Sequence, residues 1–306
     1  MLSGTHWTKQ VFLCAIPAFP IGYLCVHSFR MKNILSWLYI DRLDIQIPDH
    51  ISSMVESELE RVPNLRKANL TVTFTDRIDP RTFGGFFIRQ GAEIQLPLRV
   101  CLSDLQDVSK LGKFIEFDAG ILRKKKQVSI DSPHAQNILS DFILSENACR
   151  FLIQRELRRA NSGKIFCMPI ILWIAAFGLS FMIFSVVSTL ADPIVALFFS
   201  YVVALTTFYS CYRNFVIFSE SKLDTETCES SASYTEGAID YFRSSMRFNQ
   251  SLRLMCMDAI EYYKENGDRS SDWLPYSRRL QRIRNIANSH HFEDTDFKTV
   301  SDTESC

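Results

Sequence analysis

Two long apolar segments, separated by only two residues, constrain this chain more than any other feature. Residues 165–190 and 193–212 contain no charged side chain. As helices they would be about 39 and 30 Å long, and a hydrocarbon core is about 30 Å thick. Uninterrupted apolar segments of this length favour membrane spans over the alternative, a buried pair of core helices.

The link between the two segments is Ala191 and Asp192, and so short a link predicts an antiparallel helical hairpin. Asp192 would lie at the turn. Pro193 suits the first position of the second helix, because the N–H that proline lacks has no helical partner there.

A third apolar segment, residues 11–28, predicts an N-terminal span after a short tail at residues 1–10. The segment is short and contains Pro17 and Pro20, which neighbouring helices can tolerate inside a membrane. A cleaved secretory signal is the alternative, although no clear small-x-small cleavage site follows. The first forty residues contain no Asp or Glu, which suits mitochondrial import with the first span as an internal signal.

The polar segments predict a mixed α/β soluble region over residues 45–164 and a helical region over residues 213–288. Helical spacing predicts a helix at 50–62 and another that begins after Ser145 and continues to about Ala160. Alternation predicts strands at residues 70–74, 86–88, 92–96, 114–117 and 127–130. The polar, acidic residues 289–306 are expected to be disordered. The fold class is therefore an α+β membrane protein with about three transmembrane helices.

Charge and cysteine usage exclude several other classes of function. The formal net charge is zero, so no overall field would attract nucleic acid. The nine cysteines form no CxxC pair and the six histidines are scattered, so neither a zinc ribbon nor a thioredoxin-like site is expected. We therefore expect no metal and no cofactor.

Three stretches of this sequence resemble the transmembrane protein 177 family of the mitochondrial inner membrane. They are FGGFFIRQGAEIQLPLRVCLSDLQD at residues 83–107, LSENACRFLIQREL at 144–157 and YTEGAIDYFRSSMRFNQSLR at 234–253. The resemblance implies a multi-pass inner-membrane protein that acts in cytochrome c oxidase biogenesis. Its implied partners are newly made subunit 2, which it would stabilise, and the assembly factors of that subunit.

A more distant likeness is to membrane zinc peptidases of the HtpX and CAAX-protease type. Those enzymes have a His-Glu-x-x-His helix before a membrane hairpin and a Glu-x-x-Ala-Asp helix after it. Arg155 and Arg159 stand in the places of the two histidines. Glu156 matches the general base and Glu229 the third zinc ligand.

The two arginines are incompatible with zinc at these positions. Arginine stays protonated and has no lone pair to donate, so no zinc-bound water would be available to Glu156. Glu156 is better explained as an ion-pair partner of a neighbouring arginine. The likeness implies a peptidase fold that has lost its metal and is retained for binding, and a chance match of a common Arg-Glu-Leu helix is the alternative.

The function expected from these features is that of a non-catalytic assembly factor, in contact with membrane lipid and with a membrane-embedded partner. An active membrane hydrolase is the alternative, but the sequence has neither G-x-S-x-G nor an intact His-Glu-x-x-His. A transporter is a third reading, which the absence of ionisable residues from the predicted spans disfavours. Membrane helices usually meet through small residues, and four of these form a candidate contact: Ala175, Ala176, Gly178 and Ser180.

The basic residues next to the predicted spans indicate the orientation of the protein. With three spans, both soluble regions lie on the side opposite the Asp192 turn. The positive-inside rule then places them in the matrix, because several basic residues flank the membrane on that side and the Asp192 turn has none. These are Arg30, Lys32, Arg155, Arg158, Arg159, Lys164 and Arg213.

Overall fold

The structure is a computed structural model that describes residues 2–29, 47–62, 69–75, 77–102, 114–118, 125–129, 141–255 and 257–301. Within these residues the chain forms seven α-helices and five strands, with 3-10 turns at Leu98–Cys101 and Met257–Glu261. In chain order the elements are α1 (Leu2–Phe29), α2 (Asp49–Glu60), β1 (Leu70–Thr75), β2 (Arg81–Gly84), β3 (Ala92–Pro97), β4 (Phe114–Asp118), β5 (Lys125–Ser129), α3 (Glu146–Asn161), α4 (Gly163–Leu190), α5 (Pro193–Cys228), α6 (Ala232–Met255) and α7 (Tyr276–Ser301).

Three of the helices, α1, α4 and α5, are long and apolar enough to cross a membrane, as the sequence predicted. They pack on one another through an aromatic cluster in which Phe12 contacts Phe177 and Phe184. Ala196 and Ala204 of α5 are fully buried in the same cluster, since small side chains let the helices approach closely. α1 begins at Leu2, so most of the predicted tail is helical, because no proline interrupts the chain before Pro17.

The hairpin turn has the predicted geometry. The Asp192 side chain accepts a hydrogen bond from the backbone N–H of Ile194 at 2.9 Å and so caps α5. Pro193 occupies the first turn of that helix. The predicted helical hairpin is confirmed.

Helix α5 continues well beyond Tyr212, where the predicted span ended. Its 36 residues are about 54 Å long, which exceeds the thickness of a hydrocarbon core. The continuation has a physical cause in the sequence, since neither glycine nor proline occurs between Pro193 and Gly237. The last turns of α5 therefore leave the bilayer and enter the soluble region, where Leu223 and Asp224 are buried.

The main sheet has the strand order β1-β3-β2, with β3 parallel to β1 and antiparallel to β2. All six residues of β3 are buried. The strand predicted at Phe86–Ile88 is wrong, because these residues form the turn from β2 to β3. Gly84 and Gly91 have φ angles of 72° and 78°, and this left-handed backbone bends the chain before and after the turn. β4 and β5 form a separate antiparallel pair where two strands were predicted.

The soluble core is built around α3 and α6. Phe151 of α3 contacts Tyr241 and Phe242 of α6. The helices are close enough that a Cβ atom at Gly237 would lie 2.1 Å from the backbone oxygen of Asn147. Glycine is therefore required at this crossing.

Two boundaries in the C-terminal part differ from the prediction. α5 and α6 divide what was predicted as one mostly helical stretch from residue 226, and α6 begins at Ala232. α7 continues to Ser301, through most of the segment expected to be disordered. The sequence from Tyr276 onwards contains no glycine or proline that would end this helix. Residues 302–306 lie outside the described residues.

Candidate functional site: a buried arginine cluster below the membrane hairpin

Helix α3 positions the residues at which the sequence indicated a degenerate peptidase site. Ser145 caps the helix by accepting a hydrogen bond from the backbone N–H of Ala148 at 3.3 Å, as predicted. Arg155 and Arg159 are four residues apart and therefore lie on one face of the helix. Glu156 is three residues before Arg159 and its side chain is 0% exposed.

Arg155 uses all three of its guanidinium nitrogens inside the protein. Nε donates to Oδ1 of Asp224 at 2.7 Å, Nη1 donates to Oε1 of Glu156 at 2.5 Å, and Nη2 donates to Glu220. Burial by itself would lower the pKa of Arg155. The carboxylates of Glu220 and Asp224 outweigh that effect and hold the pKa well above its usual value.

Arg159 forms a two-point contact with Glu220. Its Nη1 donates to Oε1 at 2.5 Å and its Nη2 donates to Oε2 at 2.7 Å. Its Nε lies 2.9 Å from Oε2 of Glu156, and the hydroxyl of Thr82 donates to the same oxygen at 2.7 Å. Burial would lower the pKa of Arg159, but Glu156 and Glu220 raise it above the usual value.

Helix α7 contributes a third arginine, which also binds Asp224. Arg279 donates from Nε to Oδ2 and from Nη2 to Oδ1 of Asp224, each at 2.7 Å. Its guanidinium carbon lies 4.4 Å from the ring centroid of Phe242, a cation–π distance. We call Arg155, Arg159, Arg279, Glu156, Glu220 and Asp224 the arginine cluster.

The arginine cluster contains three cations and three carboxylates, so its formal charges cancel. The cluster joins α3, α5 and α7, and Thr82 connects it to β2. Buried charges are tolerated when each is paired and hydrogen-bonded, and removing one member leaves its partner uncompensated. The arrangement is thus suited to holding the soluble helices against the extension of α5.

The structure changes one part of the predicted site. Arg155, Glu156 and Arg159 come together, and Glu156 is paired with both arginines, as expected. Glu229 is exposed, and its backbone N–H donates to the carbonyl oxygen of Thr225 at the C-terminal end of α5. The acids that face α3 from the helix after the hairpin are Glu220 and Asp224 instead.

Glu220 and Asp224 were missed because the sequence places them past the predicted end of the span. A signal was present, since the two acids are four residues apart, as are Arg155 and Arg159. Two helices that meet along one face can pair such residues directly. Recognising it would have required knowing that α5 continues past Tyr212.

Among the described residues, no group of three or more His, Cys, Asp or Glu side chains is arranged to hold a metal ion. The carboxylates of the cluster are already bonded to guanidinium groups. Arg155 and Arg159, which the sequence comparison set against the histidines of a zinc peptidase, have no lone pair for a metal.

A second polar network lies next to the cluster around Asp79. Tyr241 donates to Oδ1 of Asp79 at 3.0 Å, Tyr276 donates to the same oxygen, and Arg269 donates to Oδ2 at 2.9 Å. Burial would raise the pKa of Asp79, but Arg269 and the tyrosine hydrogen bonds lower it below its usual value. Asp79 is therefore ionised, and it joins the loop after β1 to α6 and α7.

The small residues predicted as a helix contact divide between two faces of α4. Ala176 and Ser180 are buried inside the three-helix bundle. Ala175 is exposed, and a Cβ atom at Gly178 would meet nothing within 4 Å. Only Ala175 and Gly178 are therefore open to a further membrane helix.

Comparison with known proteins gives one match. Residues 4–303 match the sequence model of the family described as Transmembrane protein 177. No curated protein and no solved structure matches the chain.

Proposed function

Since the chain belongs to the transmembrane protein 177 family, we propose that it is a non-catalytic assembly factor of the mitochondrial inner membrane. In this role it binds newly made cytochrome c oxidase subunit 2, together with the assembly factors of that subunit, and stabilises it until it is incorporated. The proposal rests on family membership and on the chemistry of the arginine cluster.

The non-catalytic role is supported by the hydrogen bonds and the burial of the Glu156 carboxylate. Its oxygens accept hydrogen bonds from Arg155 at 2.5 Å and from Thr82 at 2.7 Å, and Arg159 lies 2.9 Å away. A general base needs a free lone pair within reach of a substrate or an activated water. Glu156 is instead fully buried within a charge-compensated network, which supports a structural role over the hydrolase alternative.

The outer surface of the membrane bundle supports binding to a membrane-embedded partner. Helix α4 offers Ala175 and Gly178 on its outward side, next to Leu179 and Met182, which are 62% and 68% exposed. A partner helix can approach closely over a glycine and pack against larger side chains beside it. We therefore assign the contact with subunit 2 to this face.

The charge distribution supports an orientation with the soluble regions in the matrix. Lys164 lies at the start of α4, and Arg213 directly follows the uncharged segment of α5, both on the side of the soluble regions, whereas the Asp192 turn has no basic residue. Arg30 and Lys32, which contribute to the same argument, lie outside the described residues.

The test of the function is a pulse–chase experiment on mitochondrial translation products in cells that lack the protein. We expect the half-life of newly made subunit 2 to fall more than that of the other mitochondrially encoded subunits. Re-expression of the wild-type chain should restore it. An equal loss of all subunits, or no loss, would refute the assignment to subunit 2.

A further inference from the structure

Two cavities meet at the boundary between the membrane bundle and the soluble region. One has a volume of about 230 Å³ and lies among α1, α4 and α5, with Tyr23, His27, Phe166 and Tyr212 in its wall. We call it the membrane-level cavity. The other has a volume of about 350 Å³ and lies between the arginine cluster and the Asp79 network. We call it the charged cavity.

The two cavities share three lining residues, Arg159, Val216 and Glu220. The two cavities therefore adjoin at these three side chains, and together they extend from the level of the bilayer into the soluble region; we call the pair the recess. Small-molecule sites have volumes from about 300 Å³ upwards, so the recess is large enough for one. The lining is aromatic and apolar at the membrane end and charged at the other end. A membrane amphiphile has the same arrangement, with an apolar tail and a charged headgroup.

The membrane-level cavity contains polar groups without a protein partner. The backbone N–H of Gly84 donates to Nδ1 of His27 at 3.1 Å, so the ring proton of the neutral imidazole is on Nε2. Neither this Nε2 nor the hydroxyl groups of Tyr23 and Tyr212 form a hydrogen bond with the part of the chain that the structure describes. These three donors suit the ester and phosphate oxygens of a lipid.

The charged cavity contains one unpaired anion and one free donor. Asp272 lines the cavity, and its carboxylate forms no hydrogen bond or ion pair with any described residue. Arg279 uses Nε and Nη2 on Asp224, which leaves its Nη1 without a partner among the described residues. Asp272 and Arg279 both line this cavity, and the positive charges of Arg269 and Arg279 both act on the Asp272 carboxylate. An unpaired carboxylate beside a free guanidinium N–H matches a ligand that has both an ammonium and a phosphate group.

We propose that the recess binds one phospholipid with a primary ammonium headgroup, of the phosphatidylethanolamine type. Asp272 accepts hydrogen bonds from the ammonium group, and Arg279 donates to the phosphate. The glycerol and the first part of the acyl chains lie in the membrane-level cavity. The ionisable side chains that line the charged cavity balance to zero, so a zwitterionic headgroup suits it better than an anionic one.

The test uses the full-length protein, purified in detergent and examined by native mass spectrometry after addition of phosphatidylethanolamine, phosphatidylcholine or phosphatidylglycerol. We expect one tightly retained phosphatidylethanolamine per chain. Phosphatidylcholine should bind about tenfold more weakly, because its quaternary ammonium has no N–H to donate to Asp272. Phosphatidylglycerol, which has no ammonium group, should show a similar loss.

Two variants with matched controls locate the site. Asp272→Asn should reduce phosphatidylethanolamine retention about tenfold, whereas Asp49→Asn, at an exposed position of α2 away from the recess, should not. Val216→Phe narrows the junction of the cavities and should also reduce retention, whereas Val202→Phe on the outer surface of α5 should not. Thermal unfolding of each variant shows whether it is folded.

Equal retention of the three lipids would show that the binding is annular and would overturn the proposal. The same conclusion would follow if folded Asp272→Asn and Val216→Phe retained phosphatidylethanolamine as the wild type does. The proposal does not depend on subunit 2, so neither result bears on the proposed function.

Discussion

Replacing Glu156 with glutamine removes one negative charge from the arginine cluster and preserves the shape of the side chain. The six charges then sum to one excess positive charge, beside the guanidinium groups of Arg155, which is 5% exposed, and Arg159, which is 21% exposed. Thr82 can still donate to the amide oxygen of the new side chain. The perturbation is therefore almost purely electrostatic.

The size of the effect follows from burial. Glu156 is 0% exposed and Arg155 is 5% exposed, so the pair is not screened by solvent. Removing one partner of a buried ion pair costs about 3–5 kcal/mol, and the lower end applies here because Arg155 and Arg159 keep their bonds to Glu220. A loss of about 3 kcal/mol corresponds to a decrease in Tm of roughly 6–12 °C.

The assay is thermal unfolding of the purified protein in detergent, with a control on the same helix. Glu146 is paired with Arg150 at 2.8 Å but is 66% exposed. Glu146→Gln should therefore cost less than about 1 kcal/mol. Combining Glu156→Gln with Arg159→Gln removes one charge of each sign, and the double variant should be more stable than the sum of the single effects predicts, by at least about 1 kcal/mol.

Equal stability of the Glu156→Gln and Glu146→Gln variants would contradict this prediction. It would mean that the cluster is hydrated, and that Glu156 does not hold α3 to its neighbours. Strict additivity of the Glu156 and Arg159 substitutions would argue against the direct pairing of these two residues.

Three further predictions concern the membrane bundle and the charged cavity. Gly178→Leu should weaken co-purification of subunit 2 without lowering Tm, since nothing lies within 4 Å of the added Cβ. Gly22→Leu, at an equally open position of α1, should leave co-purification unchanged. Unchanged co-purification of both variants would place the contact elsewhere. Burial raises the pKa of Asp272 to about 6, which is above the unfolded value, so its ionised form destabilises the fold above that pH. In protein freed of lipid, Asp272→Asn should therefore raise Tm at pH 7, by an amount that shrinks as the pH falls towards 4, and a gain independent of pH would contradict this assignment. Tags inserted at Asp192 and at the C-terminus should be protease-accessible from opposite sides of the membrane, and access from one side alone would refute the two-span hairpin.

The features predicted correctly from the sequence are those determined by neighbouring residues. The length of each apolar segment fixed the spans, and Asp192-Pro193 fixed the hairpin turn. Ser145 marked the start of α3 because its capping hydrogen bond reaches only three residues along the chain. The error at Phe86–Ile88 has the same local origin, since the φ angles that make these residues a turn are set by the glycines around them.

The candidate site was only half predictable, because its two halves are far apart in sequence. Arg155 and Glu156 of α3 were identified from the sequence because they belong to one Arg-Glu-x-x-Arg pattern. Asp224 and Arg279 reach the site only through packing of α5 and α7, which no local pattern specifies. The burial of the site could not be predicted from local patterns either. From the sequence, the Glu156 ion pair could equally have been exposed, and its energetic importance follows from the structure alone.

We infer that Glu156 stabilises the fold and takes no part in chemistry. The most direct test is the half-life of newly made subunit 2 in cells that lack the wild-type protein and express Glu156→Gln. Expression should be adjusted until the variant is as abundant as the wild type, because its lower stability would otherwise reduce its amount. We expect the half-life of subunit 2 to be restored at that level of expression. A variant of wild-type abundance that leaves subunit 2 unstable would identify a catalytic carboxylate and contradict the structural role of Glu156.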